Sequence, residues 1–334
     1  MTVRDLILSS HNVVVLSHQN ADPDAIASMV AFSRLYRALN PSGTVTLACD
    51  DVSKVAGQIL TTFNPEIAVT SGTCGEFDLT VLVDTNSSFQ IGPKLDSLLH
   101  NPSRTLVIDH HEDNPKIGEM ASHQMVDAGK SSTCEIMVSL FDELGIPVDS
   151  GIANILLAGL LFDTRRFLHG GLSGLKTGLR LIESGADYDR CLSSLIVRPD
   201  RSERIARLKA AGRLQIHEVG EWIIVTSKVS AYEASACRAL LDLGADVAVV
   251  GGSSANETVR ISSRSTSDFH RATDVSMSRD VMEKVGEIID GAGGGHANAA
   301  GANGHRNLDK ALSTSVDLIQ EAIRTKQKLP QKPT

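Results

Sequence analysis

The densest cluster of residues able to do chemistry is Ser17-His18-Gln-Asn-Ala-Asp22-Pro-Asp24-Ala, with one histidine and two carboxylates inside seven residues. Scattering this chain's 11 His and 25 Asp at random gives His-x3-Asp-x-Asp about 0.06 times per chain, so the motif alone is only suggestive. Further acids follow apolar runs: Asp84 after 79–83, Asp109 after 105–108 with His110 and His111 next, and Asp163 after 152–162. Singly, each such aspartate is more often a turn or cap residue than a ligand. Gathered in one cleft, they cannot all stay ionised without a cation, because like charges raise one another's pKa. An Asp-rich set with a few histidines suits Mn²⁺ or a similar hard ion better than a thiolate-type zinc site does. Two ions sharing a bridging carboxylate suit phosphoryl chemistry, in which one activates water and both stabilise developing charge on oxygen.

The elements around these residues bring them together. Residues 13–16, 45–49, 79–83 and 105–108 are short, apolar and not alternating, which reads as strands buried on both faces of a parallel sheet. Helical spacing follows at 25–39, through Ile59 and Leu60, and at 133–144, 152–161 and 172–184. Such a sheet sets His18, Asp22, Asp24, Asp84 and Asp109 outside its carboxyl edge, where open α/β sheets bind ligands. Asp24 is expected to cap the helix beginning at Ala25. Ser131-Ser132-Thr133 reads as the N-cap of the helix that follows.

A polar, charged stretch at 191–215, with Arg201, Arg204, Arg207, Lys209 and Arg213, reads as a helical linker. A smaller α/β unit comes next, with strands at 222–226, 247–251 and 259–263, helices at 232–243 and 281–289, and a last helix at 308–323. Between those last two helices lies Gly291-Ala-Gly-Gly-Gly-His296-Ala-Asn-Ala-Ala-Gly301, where small residues would let phosphate oxygens approach backbone donors. The expected organisation is a first domain over 1–190, the linker over 191–215, a second domain over 216–325 and a disordered tail over 326–334. The fold class is α/β: an N-terminal parallel-sheet domain with flanking helices plus a smaller C-terminal α/β domain.

Composition narrows the function. The chain has 334 residues, 42% hydrophobic and 22% charged, which excludes a disordered or fibrous protein. A net charge of -8 and 4% aromatic residues argue against coating of long nucleic acid, and the eight Phe are expected in the core. The five cysteines lie far apart with no CxxC, as buried thiols of a reducing compartment would. No stretch reaches the length of a membrane span and no secretory leader is visible, so a cytoplasmic protein is expected. A dinucleotide-binding dehydrogenase needs G-x-G-x-x-G directly after a strand, and a nucleoside triphosphatase of the P-loop type needs G-x4-G-K-[ST]; neither occurs. A silent nucleotide-binding protein would be expected to lack some of the proposed ligands, and all are here.

His18-x3-Asp22-x-Asp24, Val83-Asp84-Thr85, Asp109-His110-His111 and Phe162-Asp163-Thr164 resemble, in order, the four signature motifs of the DHH phosphoesterase superfamily. Gly293-Gly-Gly-His296 resembles the GGGH motif of the DHH-associated domain, and the resemblance spans roughly residues 10–325. It implies one metal held by His18, Asp22 and Asp84, and a second held by Asp24, Asp84, His110 and Asp163. Asp109 would orient a histidine or a bound water, and His111 would face the scissile phosphate. Arg264, His296 and the N–H groups of Gly294 and Gly295 would hold substrate phosphate. The implied cofactor is a pair of Mn²⁺ ions, with Mg²⁺ or Co²⁺ as substitutes. The sequence departs from many relatives after Asp163, where Thr164-Arg165-Arg166-Phe167 replaces a glycine that follows Asp-Thr.

The short two-domain form resembles enzymes that cleave very short oligonucleotides to nucleoside monophosphates, acting 5′ to 3′. Its alternatives are 3′-phosphoadenosine 5′-phosphate phosphatase, cyclic-dinucleotide phosphodiesterase and, less well, single-strand exonuclease. The GGGH motif speaks against an inorganic pyrophosphatase. The expected partners are a short oligonucleotide or nucleotide substrate, with no membrane and no stable long nucleic acid, and the resemblance leaves room for a homodimer.

Overall fold

A computed structural model describes residues 2–72, 75–99, 101–112, 114–253 and 258–327. The chain divides into two compact units, Met1–Val197 and Arg198–Thr334. In the first, the strands are β1 (Asn12–Leu16), β2 (Thr44–Ala48), β3 (Val69–Thr70), β4 (Leu79–Val83), β5 (Thr105–Asp109) and β6 (His123–Val126). Its helices are α1 (Val3–Leu8), α2 (Pro23–Leu39), α3 (Lys54–Phe63), α4 (Ile117–Met120), α5 (Thr133–Leu144), α6 (Ser150–Asp163), α7 (Gly171–Glu183) and α8 (Tyr188–Ser194). All six strands pair in parallel, in the order β3-β2-β1-β4-β5-β6. Every side chain of β4 and β5 is buried, as helices on both faces require.

The strand order reverses between β1 and β4, so the chain leaves these two neighbours toward opposite faces and opens a crevice at their carboxyl ends. Helix α6 is apolar all round, with Leu156, Leu157, Leu160 and Leu161 fully buried. At about 1.5–3 kcal/mol for each such side chain, its burial against α2 fixes the depth at which Asp163, its last residue, emerges.

Helix α2 starts two residues earlier than the apolar pattern indicates. Its cap is Asp22, whose Oδ1 accepts from the N–H of Asp24 at 2.9 Å and of Ala25 at 3.1 Å, with Pro23 in the first turn. Asp24, expected as the cap, is instead free to face another element. Strands β3 and β6 escape the sequence reading because they are short and only partly buried. Phe89, expected in the core with the other phenylalanines, is 94% exposed on the segment after β4.

The second unit contains α9 (Arg201–Gly212), β7 (Gln215–Val219), β8 (Trp222–Lys228), α10 (Glu233–Asp242), β9 (Val247–Ser253), β10 (Val259–Ser265) and α11 (Ser267–Thr273). A π-helical turn (Met277–Met282), α12 (Glu283–Ile288), β11 (Ala292–His296), β12 (Ala299–Gly304) and α13 (Leu308–Gln327) complete it. The sheet is mixed, in the order β11-β12-β10-β9-β8-β7, with β8–β9 its one parallel pair.

The stretch 191–215 divides between the two units: α8 belongs to the first, and α9 packs on α10 in the second, Arg207 Nε donating to Ser235 Oγ at 2.7 Å. The glycine-rich run forms the hairpin β11–β12, because its small residues let neighbouring backbone come close. The last helix runs on to Gln327, since Lys326 Nζ reaches Asp280 Oδ2 at 2.7 Å and ties down the turn expected to begin the tail. The rest of that tail, 328–334, lies outside the described residues.

Candidate metal centre

β1, β4 and β5 are neighbours in the sheet, so the residues at their carboxyl ends meet. His18 follows β1 by two residues, Asp84 follows β4 directly, and Asp109 ends β5 with His110 and His111 beyond it. Asp22 and Asp24 arrive on the first turn of α2, and Asp163 on the last turn of α6. The ligating atoms gather into three groups, each within 4.8 Å: His18, Asp22 and Asp84; Asp24, His110 and Asp163; and Asp84, His110 and His111.

The contacts within these groups fix which atoms face the centre. His18 Nδ1 lies 2.8 Å from the carbonyl of Gln19, which turns Nε2 toward Asp84 Oδ2 at 3.6 Å. A histidine whose Nδ1–H is held by a carbonyl presents a lone pair at Nε2, the arrangement common to metal-ligating histidines. His110 Nε2 lies 3.1 Å from Asp163 Oδ2, 3.5 Å from Asp84 Oδ1 and 4.0 Å from Asp24 Oδ2. It is buried and makes a proper hydrogen bond to none of them. A ring nitrogen ringed by three carboxylates but aligned with none has the surroundings of a ligand rather than of a hydrogen-bond donor.

The buried Asp24 carboxylate accepts from the backbone N–H of Thr133 at 2.6 Å and of Cys134 at 3.0 Å, so the N-terminus of α5 neutralises part of its charge. Thr133 Oγ1 also donates to Asp84 Oδ1 at 3.0 Å. The helix cap itself is Ser132, as the sequence indicates, but nothing local in the sequence signals the contribution of Thr133 to two of the acids. His111 Nδ1 sits 2.7 Å from Asp109 Oδ1, so Asp109 orients His111 and leaves Nε2 of that half-exposed ring open. The second oxygen of Asp109 is buried with no partner.

The charges are crowded. Burial, and then the neighbouring Asp84, push Asp22 up to about 6 and Asp24 well above the usual carboxylate range. Burial opposes the charged form of His18 and His110, yet the surrounding carboxylates outweigh it and raise both to about 9. His111 is raised mainly by its bond to Asp109. The donor set therefore asks for positive charge, and in the absence of a cation it would take protons to supply it. Hard carboxylates with imidazoles, orphaned buried ligand atoms and no thiolate pointing in fit divalent ions of the Mn²⁺ type.

In the second unit, a pocket of about 250 Å³ is lined by Arg264, Gly294 and Gly295 together with Ala234, Ser262, Ser263 and the 299–301 segment. His296 ends β11 and is exposed beside this pocket rather than in its lining. Arg264 is half-buried and has no ion-pair partner among the described residues. The three glycines differ. A Cβ at Gly293 would fall 1.7 Å from the carbonyl of Met282, and Gly295 holds φ +140°, so the fold itself requires both. A Cβ at Gly294 would meet nothing within 4 Å. That glycine leaves space that packing does not use, open beside an unpaired guanidinium.

Residues 12–160 match the N-terminal domain of the DHH family, and residues 225–323 match the DHHA1 domain. Over 308 residues the chain is 31% identical to an uncharacterized protein of Methanocaldococcus jannaschii, covering 91% of this chain and 90% of that one. The chain belongs to the DHH family. It is also 26% identical to a probable bifunctional oligoribonuclease and PAP phosphatase of Streptococcus mutans, each chain being covered to 96%. An exopolyphosphatase-related protein from Bacteroides fragilis shares the fold, with TM-score 0.58 at 15% identity over 96% of this chain and 94% of that one. This DHH protein is thus a hydrolase of the phosphoesterase type, built as a DHH unit followed by a DHHA1 unit. Among the described residues, no helix is long and apolar enough to cross a membrane.

One departure noted in the sequence has a structural form. Arg165, Arg166 and Phe167 hold φ of 48°, 60° and 67°, three consecutive left-handed residues directly after the last turn of α6. Phe167 pays back this strain by packing on Gly178, while both arginines stay exposed.

Proposed function

We propose that this DHH protein uses two metal ions to hydrolyse short oligonucleotides or linear dinucleotides to nucleoside monophosphates, with Mn²⁺ as the natural ion. The observation that carries the reading is the sharing of donors: Asp84 and His110 each belong to two of the three groups, as two adjacent ions require. His18, Asp22 and Asp84 would hold one ion, and Asp24, Asp84, His110 and Asp163 the other. When bound, the ions activate water and stabilise negative charge on the phosphoryl oxygens.

The remaining work falls to the chain itself. Asp109 holds His111 in one orientation, so that its Nε2 can donate to a phosphate oxygen. In the DHHA1 unit, Arg264 and the open face at Gly294 bind a second phosphate, and His296 contacts the substrate from the rim. A chain of net charge -8 does not attract long strands. The expected setting is the cytoplasm. Because the Streptococcus mutans relative carries both activities in its name, PAP phosphatase is the second reading.

A substrate panel with Mn²⁺ tests this: di- and tetranucleotides, a strand of about twenty nucleotides with matched ends, a cyclic dinucleotide and 3′-phosphoadenosine 5′-phosphate. The short linear substrates should be cleaved much faster than the long strand, with weak dependence on salt. Equal or faster degradation of the long strand would refute the proposal and favour a single-strand exonuclease.

A further inference from the structure

Phe89 stands where a large apolar ring is least expected. It is 94% exposed, whereas none of the other seven phenylalanines exceeds 37%. Its segment has buried anchors of its own, since Ile91 and Leu95 pack in one cluster with Val14, Leu16 and Leu82. A single exposed apolar residue needs no explanation by itself. What singles Phe89 out is where the chain holds it. The ring stands in the middle of the 3₁₀ turn Ser88–Gln90, and that turn is tied to two loops of the metal centre. Thr85, which follows Asp84, is buried, and its Oγ1 donates to Gln90 Oε1 at 2.6 Å. The carbonyl of Gln90 accepts from the N–H of Gln19, which follows His18.

Phe89 lines a pocket of about 370 Å³ together with Gln19, Ser88, Gly92, Pro93 and Asp96. That lining holds no basic residue and one acid, and the neighbouring Lys94 is engaged by Asp50 at 2.9 Å. Its charge therefore does not invite a phosphate, and a neutral flat group suits it better. Phe89 and Pro93 supply apolar surface. The Gln19 carboxamide, without a hydrogen-bond partner among the described residues, offers both donors and an acceptor. Gly92, at φ +91°, keeps the space beside it open, because a Cβ there would come 3.1 Å from the Gln19 side chain.

We infer that Phe89 is the platform on which one nucleobase of the substrate stacks, the base of a nucleotide joined to the phosphate at the metal centre. The inference rests on the reading of that centre as one that hydrolyses short nucleotides, and it adds a reason for choosing nucleotides over phosphate esters without a base. Stacking tolerates every base, because each has a π face, and the larger purines gain more from it than pyrimidines. The pocket offers one aromatic ring and so one stacked base, which suits a substrate of few nucleotides. Stacking holds the base alike before and during reaction, so its loss falls on KM rather than on kcat.

Kinetics of the metal-loaded full chain on a diadenylate, and on its two analogues with one adenosine replaced by an abasic sugar, test this. Phe89→Ala should raise KM for the diadenylate about 5- to 150-fold, equivalent to about 1–3 kcal/mol for one stacked base. In that variant the advantage of the diadenylate over one of the abasic analogues should shrink to within about threefold, which identifies the stacked nucleotide. Phe89→Trp and Phe89→Tyr should restore KM, whereas Phe89→Leu, apolar but not aromatic, should not. Binding is read separately in Phe89→Trp, against native protein whose one tryptophan, Trp222, lies in the other unit. Its fluorescence should be quenched by adenosine 5′-monophosphate and not by ribose 5-phosphate. An unchanged KM in Phe89→Ala, or full rescue by Phe89→Leu, overturns the stack and leaves the hydrolysis standing. A native protein that cleaves no nucleotide overturns the hydrolysis instead; base-dependent quenching then upholds the platform, and its absence overturns both.

Discussion

Replacing Asp84 by Asn is the sharpest perturbation of the metal centre. Asp84 holds φ +58°, a left-handed conformation that Asn tolerates and Ala does not, so the amide keeps the backbone and removes only the charge. The carboxylate is 3% exposed, lies 3.6 Å from His18 Nε2 and 3.5 Å from His110 Nε2, and belongs to two of the three donor groups. The third group, Asp24, His110 and Asp163, keeps every donor. After dialysis, metal analysis should therefore find about two ions per chain in the native protein and about one in Asp84→Asn. Loss of a shared ligand removes several kcal/mol of charge stabilisation from the transition state, and each 1.4 kcal/mol is tenfold in rate. Initial rates on a dinucleotide at saturating Mn²⁺ should fall by about 10³- to 10⁵-fold, which corresponds to about 4–7 kcal/mol. Asp163→Asn should do the reverse, keeping the ion held by His18, Asp22 and Asp84. Two ions per chain and a rate within about threefold of native in folded Asp84→Asn would refute the assignment of a shared ligand.

Other substitutions probe the surroundings. Thr133→Val deletes the hydroxyl that donates to Asp84 at 3.0 Å, and should weaken metal binding about 10- to 100-fold by calorimetric titration, with the fold unchanged. Gly294→Ala should fold normally yet weaken nucleotide binding, whereas Gly293→Ala, whose Cβ would lie 1.7 Å from the Met282 carbonyl, should destabilise the DHHA1 unit by several kcal/mol in urea unfolding. Lys326→Met breaks the contact to Asp280 at 2.7 Å, where both side chains are under 20% exposed, and should cost about 1–2 kcal/mol at neutral pH. Although burial opposes it, Lys326 and the nearby donors hold Asp280 below its ordinary pKa, so this stabilisation is present above the unfolded value and is lost as pH falls through the folded one. The melting temperatures of the two proteins should accordingly converge as pH falls below the folded value of Asp280, and a gap that stays constant across the acid limb would contradict the sign.

Much of this protein is written locally. Short apolar runs in β1, β4 and β5, each ending in or followed closely by His or Asp, announce a parallel sheet with ligands at one edge, because burial on both faces leaves few other readings. The same local rules misplace what depends on a neighbour distant in sequence. Which carboxylate caps α2 turned on Asp24 being drawn to the N-terminus of α5, 109 residues away, leaving Asp22 to the cap. Asp109 and His111 are close in sequence, but that they pair with each other rather than with His110 follows from where β5 releases the chain.

Residue types alone could not separate the glycines of the GGGH run either. Gly293 is required by a carbonyl of the π-helical turn, Gly295 by its φ, and only Gly294 is left over for a ligand. Nor could the pattern of α7 reveal which of its two stripes is buried, since leucines normally turn inward and here a phenylalanine packed on Gly178 holds the glycine face to the core. Residue types and their order already carry the kinds of donor and the edge of the sheet they share. Which atoms meet is settled by packing, because a ligand sphere is set by distances of a few ångströms between segments far apart in the chain.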